Sequence, residues 1–167
     1  MKRLLIFIAL YLLVGLQISI SAPFGGLHWD FDLVLIFLIF VASSSSRSGS
    51  VLWAILAGLL LDVFDPVSFG GHMVAKSTVV FLFTIIDDSL NLSQPTLLGF
   101  VILVLALIDR VIFRLFTPFV QSFGMALVRW DLPSAVLTAI LGFVLLWIAL
   151  RAGLFLPGHI KDTDSEV

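Results

Sequence analysis

Residues 57–72 have the sequence AGLLLDVFDPVSFGGH, in which an apolar run carries an acid and then breaks into a loop rich in glycine and proline. Ala54, Gly58 and Asp62 fall four residues apart, so on a helix they share one face. Small residues let helices approach closely in lipid, and a carboxylate at membrane depth usually points into a bundle or a wet cavity. We therefore predict a helix whose Asp62 face meets other helices.

The charge of Asp62 needs a partner. An acid in the last turn of a helix opposes the helix dipole, so we expect a compensating cation. Lys76 lies just beyond the loop, and Arg110 should reach a similar depth on a later helix. We predict that Asp62 anchors the bundle through Arg110 or Lys76, with the Arg110 pair as the sharper hypothesis. The alternative is a polar helix end near the headgroups, with Arg110 and Arg114 snorkelling to the membrane surface.

The composition places the chain in a membrane. Of its 167 residues, 60% are hydrophobic and 12% are charged, and the mean hydropathy is +1.20. No soluble domain of this size needs so much apolar surface, so we predict an all-α integral membrane protein with one domain. The net charge of −2 comes without a basic patch, which argues against nucleic acid as a partner. The sequence contains no cysteine, which excludes disulfides and thiol chemistry.

Apolar segments of helical length predict a polytopic bundle of six helices. The third and fourth segments hold only about 14 apolar residues each, below the usual spanning length of about 20, so they either cross a thin membrane or form a re-entrant hairpin. The first segment could instead be a cleaved signal peptide. Residues 43–49 are predicted as a loop, and 119–130 as a short interfacial helix. The predicted spans are about residues 4–22, 31–45, 50–64, 73–87, 95–116 and 134–151.

The positive charges orient this bundle. Six spans place both termini on one side of the membrane, and a re-entrant hairpin at the third and fourth segments leaves that unchanged. The opposite loops hold only Arg129 clearly. The positive-inside rule therefore predicts that both termini are cytoplasmic. The basic residues on the predicted cytoplasmic side are Lys2, Arg3, Arg47, Arg151 and Lys161.

No residue pattern indicates catalysis. His28, His72 and His159 are scattered along the chain and lack the spacing of metal ligands. No serine or lysine has a visible base partner that would indicate hydrolysis. We therefore predict no enzymatic activity, no cofactor and no metal, and we assign structural or interaction roles to the polar residues of the spans.

The segment Gly58–Asp62, followed after a short loop by Gly70 and His72, resembles the characteristic region of MreD, the small rod-shape-determining membrane protein of bacteria. Asp32, which opens the second span, resembles the acid of a Pro-Asp-Leu pattern in that family. The size and the number of spans agree as well, so the resemblance covers most of the chain. Lys76 departs from the family pattern.

The resemblance implies a non-enzymatic scaffold of the cell-wall elongation machinery in the bacterial inner membrane. Its expected partner is an MreC-like single-span protein, with indirect links to MreB, RodA and a transpeptidase. The family fold is similar to the substrate-binding S components of energy-coupling-factor transporters, so the alternative function is a vitamin-binding subunit. That alternative expects a small-residue docking face on the first helix, where only Gly15 and Ser19 are found. A third possibility is a small channel or lipid transporter with a path at Asp62 and Arg110.

Overall fold

The computed structural model describes residues 2–21, 31–65, 70–89, 94–116, 124 and 127–153, and the regular structure in these ranges is helical throughout. A five-residue π-helical turn, Leu127–Asp131, leads directly into the last helix. The six α-helices of these ranges are α1 (Lys2–Ser21), α2 (Leu33–Ser43), α3 (Arg47–Phe64), α4 (Gly71–Ser89), α5 (Pro95–Leu115) and α6 (Leu132–Arg151).

Four of these helices are long and apolar enough to cross a membrane, namely α1, α3, α5 and α6 with its π-helical turn. This confirms the prediction of a helical, multi-pass membrane protein. Helices α2 and α4 do not combine the length and the apolar composition of a membrane span. Helix α2 is apolar but has only 11 residues, and α4 is long enough, with 19 residues, but carries Lys76, Asp87 and Asp88.

Helix α2 lies at the centre of the bundle. Eight of its 11 residues are buried, and it packs against α1, α3, α4 and α6. At 1.5 Å per residue it is only about 16 Å long, which is shorter than the predicted span 31–45. A helix that is apolar on all sides belongs in a core. The predicted length is too great because hydropathy alone does not distinguish a short core helix from a membrane-crossing one.

Helices α3 and α4 are longer than predicted. Helix α3 has 18 residues and begins at Arg47, inside the segment predicted as a loop. Its first turn is polar, and Ser50 Oγ donates a hydrogen bond to the carbonyl of Ser46, while Arg47 pairs with Asp88 at the end of α4. The predicted span, which was based on a run of apolar residues, did not include this turn because its residues are hydrophilic. Because α3 and α4 have 18 and 19 residues, the short length that favoured a re-entrant hairpin is not found.

Helices α3 and α4 approach each other closely where α4 begins. A Cβ atom added to Gly58 would stand 2.3 Å from Met73 Cα and 2.6 Å from the carbonyl oxygen of His72. No side chain fits in that space. Ala54 is fully buried on the same face, as its four-residue spacing predicts. Gly70 precedes α4 with a φ of +90°, a conformation that glycine adopts without strain.

Helix α6 packs its small residues into the bundle. Ala135, Thr138 and Ala139 are buried, and a Cβ atom on Gly142 would lie 3.2 Å from side-chain atoms of both Ile36 and Ile102. The helix begins at Leu132, two residues before the predicted span. The predicted interfacial helix 119–130 falls mostly outside the described residues, and its last four residues belong to the π-helical turn.

Replacement of Gly58 by alanine tests the close approach of α3 and α4. We expect Gly58→Ala to lower the free energy of unfolding in detergent by about 1–3 kcal/mol, because backbone atoms must move to admit the methyl group. Gly15→Ala is the matched control, since no neighbouring atom lies within 4 Å of a Cβ there. It should leave the melting temperature unchanged or raise it slightly. Equal effects of the two substitutions would contradict the packing.

Candidate functional site

A layer of buried polar side chains lies at one end of the bundle, where α2, α4 and α6 begin and α3 and α5 end. We call it the polar layer. Its members come from five different helices or their caps, so they are far apart in sequence. Each is 4% exposed or less. They are Asp32, Asp62, Lys76, Asp109, Ser134 and Thr138.

Asp62 caps the start of α4. One carboxylate oxygen accepts a hydrogen bond from the backbone N–H of His72 at 3.0 Å, and the other accepts from the N–H of Met73 at 3.1 Å. These donors belong to the first turn of α4, whose N–H groups have no partner within the helix. The N-terminus of a helix also carries partial positive charge. The acid at the end of α3 is therefore compensated by the dipole of the following helix.

The predicted Asp62–Arg110 pair is wrong. Arg110 instead donates a hydrogen bond to Ser134 Oγ at 2.8 Å, and Lys76, the other candidate, pairs with two different acids. The alternative, in which Asp62 is a polar helix end near the headgroups, is also excluded, because Asp62 is 1% exposed. In the sequence, the charged side chains of Lys76 and Arg110 stand out as partners for an acid, whereas backbone amides do not. The positive end of α4, brought back against α3 by the intervening loop, supplies the compensation.

Lys76 is held by two acids from other helices. Its ammonium group donates to the carboxylate of Asp32 and to Asp109 Oδ2, the latter at 2.8 Å. The lysine is 1% exposed, and both acids are buried as well. We call Asp32, Lys76 and Asp109 the buried triad. A buried cation is stable only when it is paired and hydrogen-bonded, so the triad joins α4 to the start of α2 and to α5.

Asp32 has a second role as the N-cap of α2. Its carboxylate accepts a hydrogen bond from the N–H of Leu35 at 2.8 Å, which satisfies one of the free donors of the first turn. Its own N–H donates to Thr138 Oγ1 on α6 at 2.9 Å. Gln17 of α1 accepts from the N–H of Val34 at 3.0 Å. The start of α2 is thus connected to α1, α4 and α6 by polar contacts.

Asp109 belongs to the polar layer, but the sequence patterns do not single it out. Only its Oδ2 atom has a donor in the described part of the chain, and Oδ1 is buried without one. The neighbouring Arg110 and Arg114 drew attention to the same segment, but as cations that needed acids. The signal that could have identified Asp109 is Lys76 itself, because a single lysine in an apolar helix needs a carboxylate at the same depth.

Arg114 and His72 extend the polar layer toward the end of the bundle. Both the Nε and Nη2 atoms of Arg114 bind the carboxylate of Asp131 in the π-helical turn, with Nη2 at 2.9 Å. Arg114 is therefore paired within the protein instead of snorkelling. The ring of His72 stacks on Phe113 with 4.2 Å between ring centroids, and its Nε2 lies 3.7 Å from a carboxylate oxygen of Asp65.

The polar layer is separated from the opposite end of the bundle by apolar side chains. Val79, Val80 and Phe83 follow Lys76 on the buried face of α4 and are fully inaccessible to solvent. Among the residues that the structure describes, no cluster of His, Asp or Glu side chains is arranged to hold a metal ion. The described contacts of the layer cap helices and pair charges. These contacts hold the helix ends in fixed positions relative to one another.

The amide substitution of Asp62 tests its capping role. We expect Asp62→Asn to lower the free energy of unfolding by about 1–3 kcal/mol, because an amide nitrogen cannot accept a hydrogen bond and one buried N–H of α4 loses its partner. Asp65→Asn is the control, since Asp65 lies at the same helix end but its side chain is 38% exposed. Its effect should be clearly smaller. Detergent melting curves measure both, and equal losses would contradict the capping role.

A pair of double-mutant cycles tests the buried triad. For Lys76→Met and Asp109→Asn we expect a coupling energy of about 1–3 kcal/mol, because Lys76→Met leaves two buried carboxylates without their cation, and that cost falls when Asp109 is already neutral. The same cycle for Arg47→Gln and Asp88→Asn serves as the reference. That pair is solvent-exposed, with 48% and 36% of the two side chains accessible, and should couple by less than about 1 kcal/mol. Additive effects at Lys76 and Asp109 would rule out the ion pair.

The chain was compared with protein-family models, curated proteins and solved structures. No protein-family model, no curated protein and no solved structure matches this chain.

Proposed function

We propose that the protein is a non-enzymatic scaffold of the bacterial cell-wall elongation machinery, an MreD-like protein of the inner membrane with both termini in the cytoplasm. One observation carries the proposal. The residues that resemble MreD are far apart in sequence, yet they meet at one end of the bundle. Gly58 and Asp62 contact the first turn of α4, and Asp32 caps α2 and binds Lys76.

The roles of these residues support a scaffold. Gly58 lets two backbones touch, Gly70 takes up a positive φ before α4, and Asp62 and Asp32 cap helices. Each of these tasks fixes the position of a helix. A scaffold in a membrane needs a bundle whose helices keep fixed positions, because in lipid association depends on packing and interhelical hydrogen bonds.

The partner is proposed from the resemblance and from the exposed surface of the chain. An MreC-like protein with a single membrane span would bind the bundle, and MreB, RodA and a transpeptidase would be linked through it. A single apolar span needs an apolar surface at membrane depth. Large hydrophobic side chains, Leu4, Leu5, Ile8 and Leu12 among them, remain exposed along α1, where they contact lipid or such a span.

Co-purification tests this function. The tagged protein should capture the MreC-like protein encoded in the same genome, in preference to an unrelated single-span protein, from detergent-solubilised membranes. Depletion of the protein should turn rod-shaped cells round. Gly58→Ala should reduce capture several-fold and Gly15→Ala should not, since only the former disturbs the α3–α4 contact.

Two results would overturn the proposal. The first is no preferential capture of the MreC-like protein together with normal cell shape after depletion. The second is a vitamin bound in stoichiometric amount to the purified protein, with uptake that depends on an energy-coupling module. The second result would replace the scaffold with the substrate-binding S component.

A further inference from the structure

Helix α4 is not hydrophobic enough to enter a membrane readily by itself. Its 19 residues are sufficient in length, but it is not among the four helices with the apolar composition of a span. Lys76 lies in its second turn, and Asp87 and Asp88 lie near its end. Each charged residue inside a spanning helix adds a cost of about 3 kcal/mol toward the helix centre, and less near its ends.

In the described part of the chain, the ammonium group of Lys76 has partners only on other helices. Asp32 precedes α2, and Asp109 lies in the last turns of α5. Lys76 is 1% exposed and is among the largest fully buried side chains in the described ranges. In the assembled bundle its charge is therefore neutralised, whereas α4 alone would place it in hydrocarbon.

The order of the helices along the chain adds a second constraint. Asp109 follows Lys76 by 33 residues, so α4 leaves the ribosome before α5 can supply this carboxylate. Asp32 comes 44 residues earlier and is already available. The triad is complete only after the later helix has entered the membrane.

We propose that α4 is a conditional span, which takes its place across the membrane only when Asp32 and Asp109 receive Lys76 within the assembled bundle. Helices α1, α3, α5 and α6 enter by their own hydrophobicity. The short apolar helix α2 provides the buried surface against which α4 packs. The inference concerns assembly and does not depend on the proposed function.

A cysteine at position 79 reports on the placement of α4. Val79 is fully buried one turn beyond Lys76, and the chain contains no other cysteine. Membranes carrying Val79→Cys are treated with a membrane-impermeant maleimide, in right-side-out and in inverted vesicles. The otherwise native protein should remain unlabelled from both sides.

Removal of the two acids should expose the reporter. In the Asp32→Asn/Asp109→Asn protein, labelling of the cysteine should rise at least several-fold, because Lys76 then has no carboxylate partner. Asparagine still caps α2, so the N-cap is retained. Addition of Lys76→Met should return labelling to the native level, since no charge then needs a partner. Arg47→Gln/Asp88→Asn is the control, and it should leave the reporter protected because that pair is exposed.

Two outcomes would overturn the inference. One is full protection of the cysteine in Asp32→Asn/Asp109→Asn with Lys76 present, which would mean that α4 crosses without its partners. The other is equal labelling with and without Lys76→Met, which would assign the defect to the lost carboxylates alone. If the double variant does not accumulate in membranes, the amount of protein is measured instead. Recovery on addition of Lys76→Met supports the inference, and failure to recover overturns it.

Discussion

The capping of α4 by Asp62 is the contact on which the other polar interactions depend. The carboxylate binds the first-turn amides of His72 and Met73, and Gly58, one turn earlier on α3, leaves room for the same turn. Together these contacts fix both the position and the rotation of α4 at its start. Lys76 lies three residues after Met73, less than one turn along the helix. The orientation that satisfies Asp62 is therefore also the orientation that directs Lys76 toward Asp32 and Asp109.

The buried triad specifies an arrangement more than it adds stability. The desolvation of a carboxylate or an ammonium group is costly, and the attraction between them repays this only in good geometry. What the triad does strongly is disfavour alternatives, because any shift that separates Lys76 from its acids leaves a charge unpaired in an apolar core. A sliding or rotated α4 would have that consequence. In lipid, where apolar helices slide past one another at little cost in hydrophobic energy, such a constraint gives the bundle one register.

The sequence predicted the elements whose signals are local and apolar. The four-residue spacing of Ala54, Gly58 and Asp62 predicted the buried face of α3. The partner of Asp62 could not be predicted from charged residues, since every residue type supplies a backbone amide and the sequence does not show which amides lie at the start of a helix.

The length of α3 was underestimated because its first turn is hydrophilic. The length of α2 was overestimated because burial in protein and burial in lipid select the same residue types. Asp109 was not predicted as a partner of Lys76, because an acid next to Arg110 and Arg114 is expected to pair with an arginine.

The placement of the charged groups along their helices explains how an apolar bundle accommodates them. Asp32 precedes α2, Asp62 lies in the last turn of α3, Lys76 lies in the second turn of α4, and Asp109 lies two turns from the end of α5. All four thus lie near helix ends, where free amides are available as partners and the bundle interior begins to give way to its polar boundary. Beyond them the core is filled by side chains such as Val79 and Phe83, which are fully buried. The polar layer thus gathers four of the buried charges, and these apolar side chains separate it from a further buried acid, Asp87, near the end of α4.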